Sequence, residues 1–232
     1  MLDYFSIKKY LRQMNIFQEI RFLLAKELKL EFRQKYAISG ILLYVFSTIF
    51  VVYMSEGTAS GKEWNILFWV IILFASTNAV AKSFLRESGN RQLYYYSLVN
   101  PTAIIISKMI YNTILLLALS VLAYGVFSLV IGTPVEDTQL FFIAIFLASL
   151  GFSITFTFIS AIASKANNSA SLMAILGFPI IIPILMTLVN ISMVAIGEFP
   201  NKSIDNDILI LLAIDLLLAG ASLMLFPFLW RD

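Results

Sequence analysis

Hydrophobic positions fall into six long runs, at residues 37–55, 64–81, 103–131, 139–163, 171–196 and 208–230, and the short stretches between them hold nearly all the charge. A helix rises 1.5 Å per residue, so each run can cross a hydrocarbon layer of about 30 Å. Bare apolar runs alternating with charged connections predict membrane-spanning helices. The third run is the longest and predicts a helix that tilts or extends past the bilayer. Residues 16–35, ahead of the first run, follow a different pattern. Ile16, Ile20, Leu23, Leu24 and Leu28 recur at helical spacing, while Lys26, Lys29 and Arg33 fall on the far side. This predicts an amphipathic helix at the membrane surface, its basic residues near anionic headgroups. Glu27 and Glu31 lie one turn apart, on or beside the apolar stripe. A carboxylate there needs a partner, and a basic residue of the connection after the second run would supply one. The plainer alternative is a surface anchor with snorkelling charges.

Charge sets the expected orientation. Fourteen Lys and Arg residues lie in the N-terminal segment, after runs 2 and 4, and at the C-terminus, against two, Lys62 and Lys202, in the opposite loops. Basic residues favour the cytoplasmic side, so both termini are expected there. The opposite loops are acidic, with Glu56, Glu63, Glu136, Asp137, Glu198, Asp205 and Asp207. The expected fold is an all-α integral membrane protein. Residues 1–36 form a cytoplasmic segment with an interfacial amphipathic helix, and residues 37–232 form a domain of six transmembrane helices. The first run starts behind a charged segment, too far in for a secretory signal, so the first span is expected to direct its own insertion.

Composition narrows the chemistry. Apolar residues make up 60% of the 232-residue chain and charged residues 13%, about half the usual charged share of a soluble domain. The chain has neither Cys nor His. That removes disulfides, thiolate metal sites and the commonest metal and haem ligand, so no metal site is expected. It also has no P-loop, no Gly-rich dinucleotide fingerprint and no nucleophile paired with a base, and nothing predicts a nucleic-acid partner. Asp215, about a third of the way into the sixth run, is an ionisable residue at membrane depth and hence a functional candidate. The alternatives are a carboxyl that is protonated or one hydrogen-bonded to a neighbouring helix. Run 5 carries Pro179, Pro183 and Asn190. Proline removes a backbone hydrogen bond and kinks a helix, which suits either a hinge or a static bend. Asn78, Ser153, Thr155 and Thr157 read as helix–helix contacts, and Trp64, Trp69 and Trp230 as interfacial anchors near span ends.

The connection 82–108, KSFLRESGNRQLYYYSLVNPTAIIISK, is the only sizeable one expected on the cytoplasmic side. Residues 83–87 suit a short helix ended by Gly89 and Asn90, and Asn100–Pro101 marks a turn. A short helix between two spans can dock a soluble partner through its mixed Arg and Glu surface. Alternatively the tyrosines sit at headgroup level.

These features together resemble type-2 ABC exporter permeases, and more closely the haem exporter protein B (CcmB) family of cytochrome c maturation. The likeness rests on LLAKELKLEFRQKYAISGILLYVFSTIFVVY and LFWVIILFASTNAVAKSFLRESGN, followed by the Pro101 turn and Lys108. It is strongest over residues 20–110 and mainly hydropathic beyond. Arg86, Glu87 and Gly89 match the family's Arg/Glu–Gly stretch, whereas residues 93–98 carry three tyrosines in place of an acidic residue. The resemblance implies a non-catalytic permease in the bacterial cytoplasmic (inner) membrane. It implies a cytoplasmic ABC ATPase partner that holds the ATP and seats a coupling helix including Phe84, Arg86, Glu87 and Gly89. It also implies haem-handling membrane proteins and a haem chaperone, with haem as possible cargo rather than a cofactor bound by this chain. Two membrane halves are needed, and a homodimer is the simplest arrangement, with a heteromer with another membrane subunit as the alternative. Two other readings stand beside it: a type-2 ABC permease for a lipid, drug or polysaccharide, and an ion-coupled carrier built on Asp215.

Overall fold

A computed structural model describes residues 15–33, 35–56, 60–80, 99–164, 169–199 and 203–231. Among the described residues the chain is all helical, with α1 (Ile16–Arg33), α2 (Lys35–Glu56), α3 (Gly61–Val80), α4 (Pro101–Ile131), α5 (Thr138–Ala163), α6 (Ser169–Ala195) and α7 (Asp205–Arg231). Five of these, α3 to α7, are long and apolar enough to cross a membrane. The first expected span corresponds to α2, whose apolar stretch, Ser39–Ser55, is shorter. Every one of these six helices turns large apolar side chains outward, such as Leu43, Phe74, Ile114, Phe146, Met186 and Leu216. A surface apolar on all sides suits hydrocarbon rather than water.

Local chemistry sets the helix ends. Ser60 and Glu63 cap α3 reciprocally: the Ser60 N–H donates to Glu63 Oε2 at 3.0 Å, and the Glu63 N–H donates to Ser60 Oγ at 3.4 Å. This capping box satisfies two N–H groups that have no partner inside the helix. Asn100 caps α4 by accepting from the Thr102 N–H at 3.0 Å, with Pro101 at the first helical position, where its missing N–H is not needed. The expected Asn100–Pro101 turn is therefore the start of the helix. Asp137 caps α5 through the Leu140 N–H. At the end of α6 the Gly197 N–H donates to the Val194 carbonyl and the Glu198 N–H to the Met193 carbonyl. Gly197 sits at φ +77°, the left-handed conformation that such a helix end requires and glycine adopts without strain.

The helices pack around α5. Residues 151–161 of α5 are all buried, enclosed by α3, α4, α6 and α7. Ala148, Ser149, Gly151 and Ser153 keep this helix slim, and small residues let membrane helices approach closely without any hydrophobic gain relative to lipid. The bundle thus has a proximal end, where α1 docks, and a distal end, where α3 and α5 begin and α4 and α6 finish.

The distal end is aromatic. Trp64 stacks on Phe68 at 5.5 Å between ring centroids and tilts against Phe127 at 5.0 Å and Phe141 at 5.7 Å. Its Nε1–H donates to the Gly132 carbonyl at 2.8 Å, and the Trp69 Nε1–H donates to Ser192 Oγ at 2.7 Å. Trp64 and Trp69 are almost fully buried. The expectation that they anchor the chain at the membrane interface is corrected on this point: their rings point into the bundle, where both N–H groups find acceptors and their area goes to helix packing. The side chain of Trp230 lies outside the described residues.

Candidate functional site

Two polar features stand out in this apolar bundle. The first is at the proximal end. The periodic stripe of residues 16–28 does form a helix, but its apolar face rests on protein: Leu23 is buried, and Ile16 and Ile20 pack against the same core. The principal neighbour of α1 is the first part of α4, with α2 beside it. Phe17 and Phe22 stay exposed at the margins of the opposite face, with Arg21 and Lys29, so that face keeps the mixed character expected at headgroup level.

Glu27 sits on the docked face. Its Oε1 lies 3.6 Å from Lys108 Nζ and 3.0 Å from Lys26 Nζ. The expected basic partner is present, within the second turn of α4 rather than in a loop, because the helix begins at Pro101. Lys108 is 2% exposed. An ammonium removed from water is costly unless paired, and Glu27 reaches it from a separate helix. Glu19, two turns earlier on α1, accepts a long hydrogen bond (3.4 Å) from the Asn100 N–H. Glu31, one turn beyond Glu27, is half-buried and also engaged with a neighbour. The side chain of Arg33 lies outside the described residues, as do Phe84, Arg86, Glu87 and Gly89, so the sequence expectations for these residues fall beyond the described structure.

Above this joint, α4 and α5 exchange polar contacts. Asn112 Nδ2 donates to Thr157 Oγ1 at 2.8 Å, and Ser153 Oγ donates to the Met109 carbonyl at 2.7 Å. Ser153 and Thr157 thus join helices, as expected. Asn78 does not: its side chain donates to the Phe74 carbonyl of its own helix. Asn112 was not singled out in the sequence, although an amide inside a long apolar run is itself a signal.

The second feature is Asp215, on α7 about 15 Å from the helix start at 1.5 Å per residue. It is 2% exposed, and neither carboxylate oxygen has a hydrogen-bond partner among the described residues. It faces Gly151 of α5 so closely that a Cβ there would lie 2.8 Å from Asp215 Oδ1. One turn along α5, Thr155 Oγ1 is also buried without a partner. The expected alternative of a carboxyl bonded to a neighbouring helix does not occur among the described residues, and the importance of Gly151 was not apparent from the sequence.

Pro179 and Pro183 lie inside α6, which continues through both. Their rings face outward, and Thr187 Oγ1 donates to the Pro183 carbonyl at 2.7 Å. Asn190 is half-buried in the following turns. Among the described residues no group of three or more His, Cys, Asp or Glu side chains could hold a metal ion.

Comparison with curated proteins finds no match. Comparison with protein families does: the model described as CcmB protein matches residues 18–230. That match covers nearly the whole chain, from the docked entry helix through the last helix, and this protein belongs to the CcmB family of membrane permease components.

Proposed function

We propose that this chain is the permease subunit of an ABC transporter complex for haem export or delivery in c-type cytochrome biogenesis. The observation that carries the reading is the family match over residues 18–230, supported by an apolar helical bundle without a nucleotide-binding domain among its described residues. In this reading α2 to α7 are six spans, both termini face the cytoplasm of a bacterial inner membrane, and the proximal end is the cytoplasmic one. The excess of Lys and Arg on that side favours this orientation. A separate ATPase subunit binds and hydrolyses ATP, and Phe84, Arg86, Glu87 and Gly89 seat on it as a coupling helix. Haem-handling membrane proteins and a haem chaperone complete the complex, with two copies of this chain as the simplest pair of membrane halves. Pro179 and Pro183 serve as a hinge in α6. Without His in the chain, transmission of ATP-driven movement to a haem-loaded partner is favoured over axial ligation of haem within this subunit.

Gentle solubilisation of native membranes and pull-down of this chain test the proposal. Recovery of a P-loop ATPase together with haem-handling proteins is the expected result. An ATPase without them would move the assignment to a type-2 permease for a lipid, drug or polysaccharide. Absence of any ATPase from a complex shown to survive the detergent would overturn the assignment.

The unpartnered Asp215 carboxylate favours one second reading, an ion-coupled carrier. That reading requires transport by the chain alone in liposomes and its loss in Asp215→Asn.

A further inference from the structure

α1 and the first turns of α4 run side by side in one register. Glu19 meets Asn100, and Glu27 meets Lys108. Both pairs are 81 residues apart, since 100 − 19 and 108 − 27 give the same offset. Midway between them, Leu23 is 4% exposed on α1 and Ile104 is 5% exposed on α4. The two helices therefore lie parallel for two turns, with a polar tie at each end of an apolar strip. Asn100 is also where the 81–98 connection runs into α4.

The two kinds of contact resist displacement differently. Apolar side chains can slide past one another by a fraction of a turn and remain in contact. A buried ion pair cannot, because misalignment draws the still desolvated Lys108 ammonium away from the Glu27 carboxylate. Polar contacts set in an apolar seam are the best-attested device for fixing register between helices. Lys26 also neutralises Glu27, but from the same helix, so that contact does not tie α1 to α4.

We infer that the Glu27–Lys108 pair is a register clamp that makes α1 and α4 one moving body. A push arriving through the 81–98 connection then displaces both helices together instead of sliding one along the other. Glu27 and Lys108 are positioning residues: they act through the helices they join. The inference rests on the proposed function, in which that connection receives the force of the ATPase.

The test uses the full complex with the double variant Glu27→Gln, Lys108→Met, which removes both charges of the pair. A merely structural ion pair replaced in this way is often neutral or even stabilising. The expected result is co-purification of the ATPase at wild-type stoichiometry and ATP hydrolysis at the wild-type rate. The yield of c-type cytochromes per ATP hydrolysed should fall roughly tenfold, within the usual range of coupling between distant sites. Wild-type cytochrome yield in this variant would overturn the clamp, and so would loss of the ATPase from the complex, which would make the pair an assembly device. If the double variant does not accumulate, Glu27→Asp decides, because it shortens the reach to Lys108 while keeping both charges. A lowered yield per ATP supports the clamp and an unchanged yield overturns it. Failure of the wild-type chain itself to bring down an ATPase would strike the functional assignment instead, so the two failures are distinguishable.

Discussion

The two ends of the bundle are held together by different physics. At the distal end the connections are tied at the level of the backbone. The N–H groups of Glu136 and Asp137 both donate to the Ala195 carbonyl, at 3.0 and 2.9 Å, the end of α6 closes on Gly197, and Trp64 donates to Gly132 over a floor of stacked rings. At the proximal end α1 rests on α4 through an apolar strip and side-chain ties that include a long hydrogen bond from Asn100 to Glu19 and the Glu27–Lys108 ion pair. Backbone ties and large rings hold one arrangement and resist alternatives, because packed aromatic clusters do not deform continuously. Side-chain ties between whole helices join α1 to α4 without fixing that pair to the backbone of the rest of the bundle. The distal end is thus the more firmly tied of the two, and under the proposed function the proximal end is where α1 and α4 would move as one body against the rest.

The largest expected effect comes from breaking the distal end. Trp64→Ala removes the ring at the centre of the aromatic cluster and should destabilise the fold by about 3–5 kcal/mol. Trp64→Phe keeps a ring and loses the bond to Gly132, for a cost of about 1 kcal/mol. Thermal unfolding of the purified chain in detergent measures both. Equal losses in the two variants would mean that the hydrogen bond, rather than the rings, holds the distal end.

Next in size is the contact between α5 and α7. Gly151→Ala would set a Cβ 2.8 Å from Asp215 Oδ1. The carboxylate must turn or the helices must part, and overpacking of this kind costs about 1–3 kcal/mol. Combining it with Asp215→Ala, which clears the obstructing oxygens, should recover most of the stability in the same unfolding assay. No recovery would place the strain elsewhere along α5. A comparable loss, about 1–2 kcal/mol, is expected for Gly197→Ala. There a side chain would face both a left-handed backbone and the Glu136 carboxylate, 2.5 Å from the new Cβ.

Much of this contrast was legible in the sequence, and the remainder has a physical reason for being hidden. The apolar runs predicted the long helices because hydrocarbon requires every backbone group to be bonded within its own segment. The stripe of residues 16–28 predicted α1, and Glu27 on that stripe predicted a cationic partner. Composition could not tell which surface the stripe would meet, since leucine suits lipid and protein equally. The same ambiguity hid Trp64 and Trp69: a tryptophan near a span end reads as an interfacial anchor unless the acceptor for its N–H is known, and Gly132 and Ser192 lie far away in the chain. Asp215 was visible as an ionisable residue at membrane depth, but its packing against Gly151 depends on how α5 and α7 are rotated. Periodicity does not reveal that rotation when both helices are apolar all round.

The smallest effect sharpens the comparison most, because it asks whether polar contacts above the joint add strength or only alignment. Asn112→Ala and Thr157→Val, alone and together, form a double-mutant cycle on the 2.8 Å bond between α4 and α5. Interhelical hydrogen bonds in membranes average about 0.6 kcal/mol, since the separated helices find other partners. A coupling energy near that value is expected from unfolding in detergent. It would mean that the polar contacts of the proximal half set how α4 lies on α5, while cohesion comes from packing along the whole length of α5. A coupling above about 2 kcal/mol, beyond the range seen for such bonds, would make the proximal half as rigid as the distal one. The α1–α4 body would then have no compliant seam along α5 at which to move.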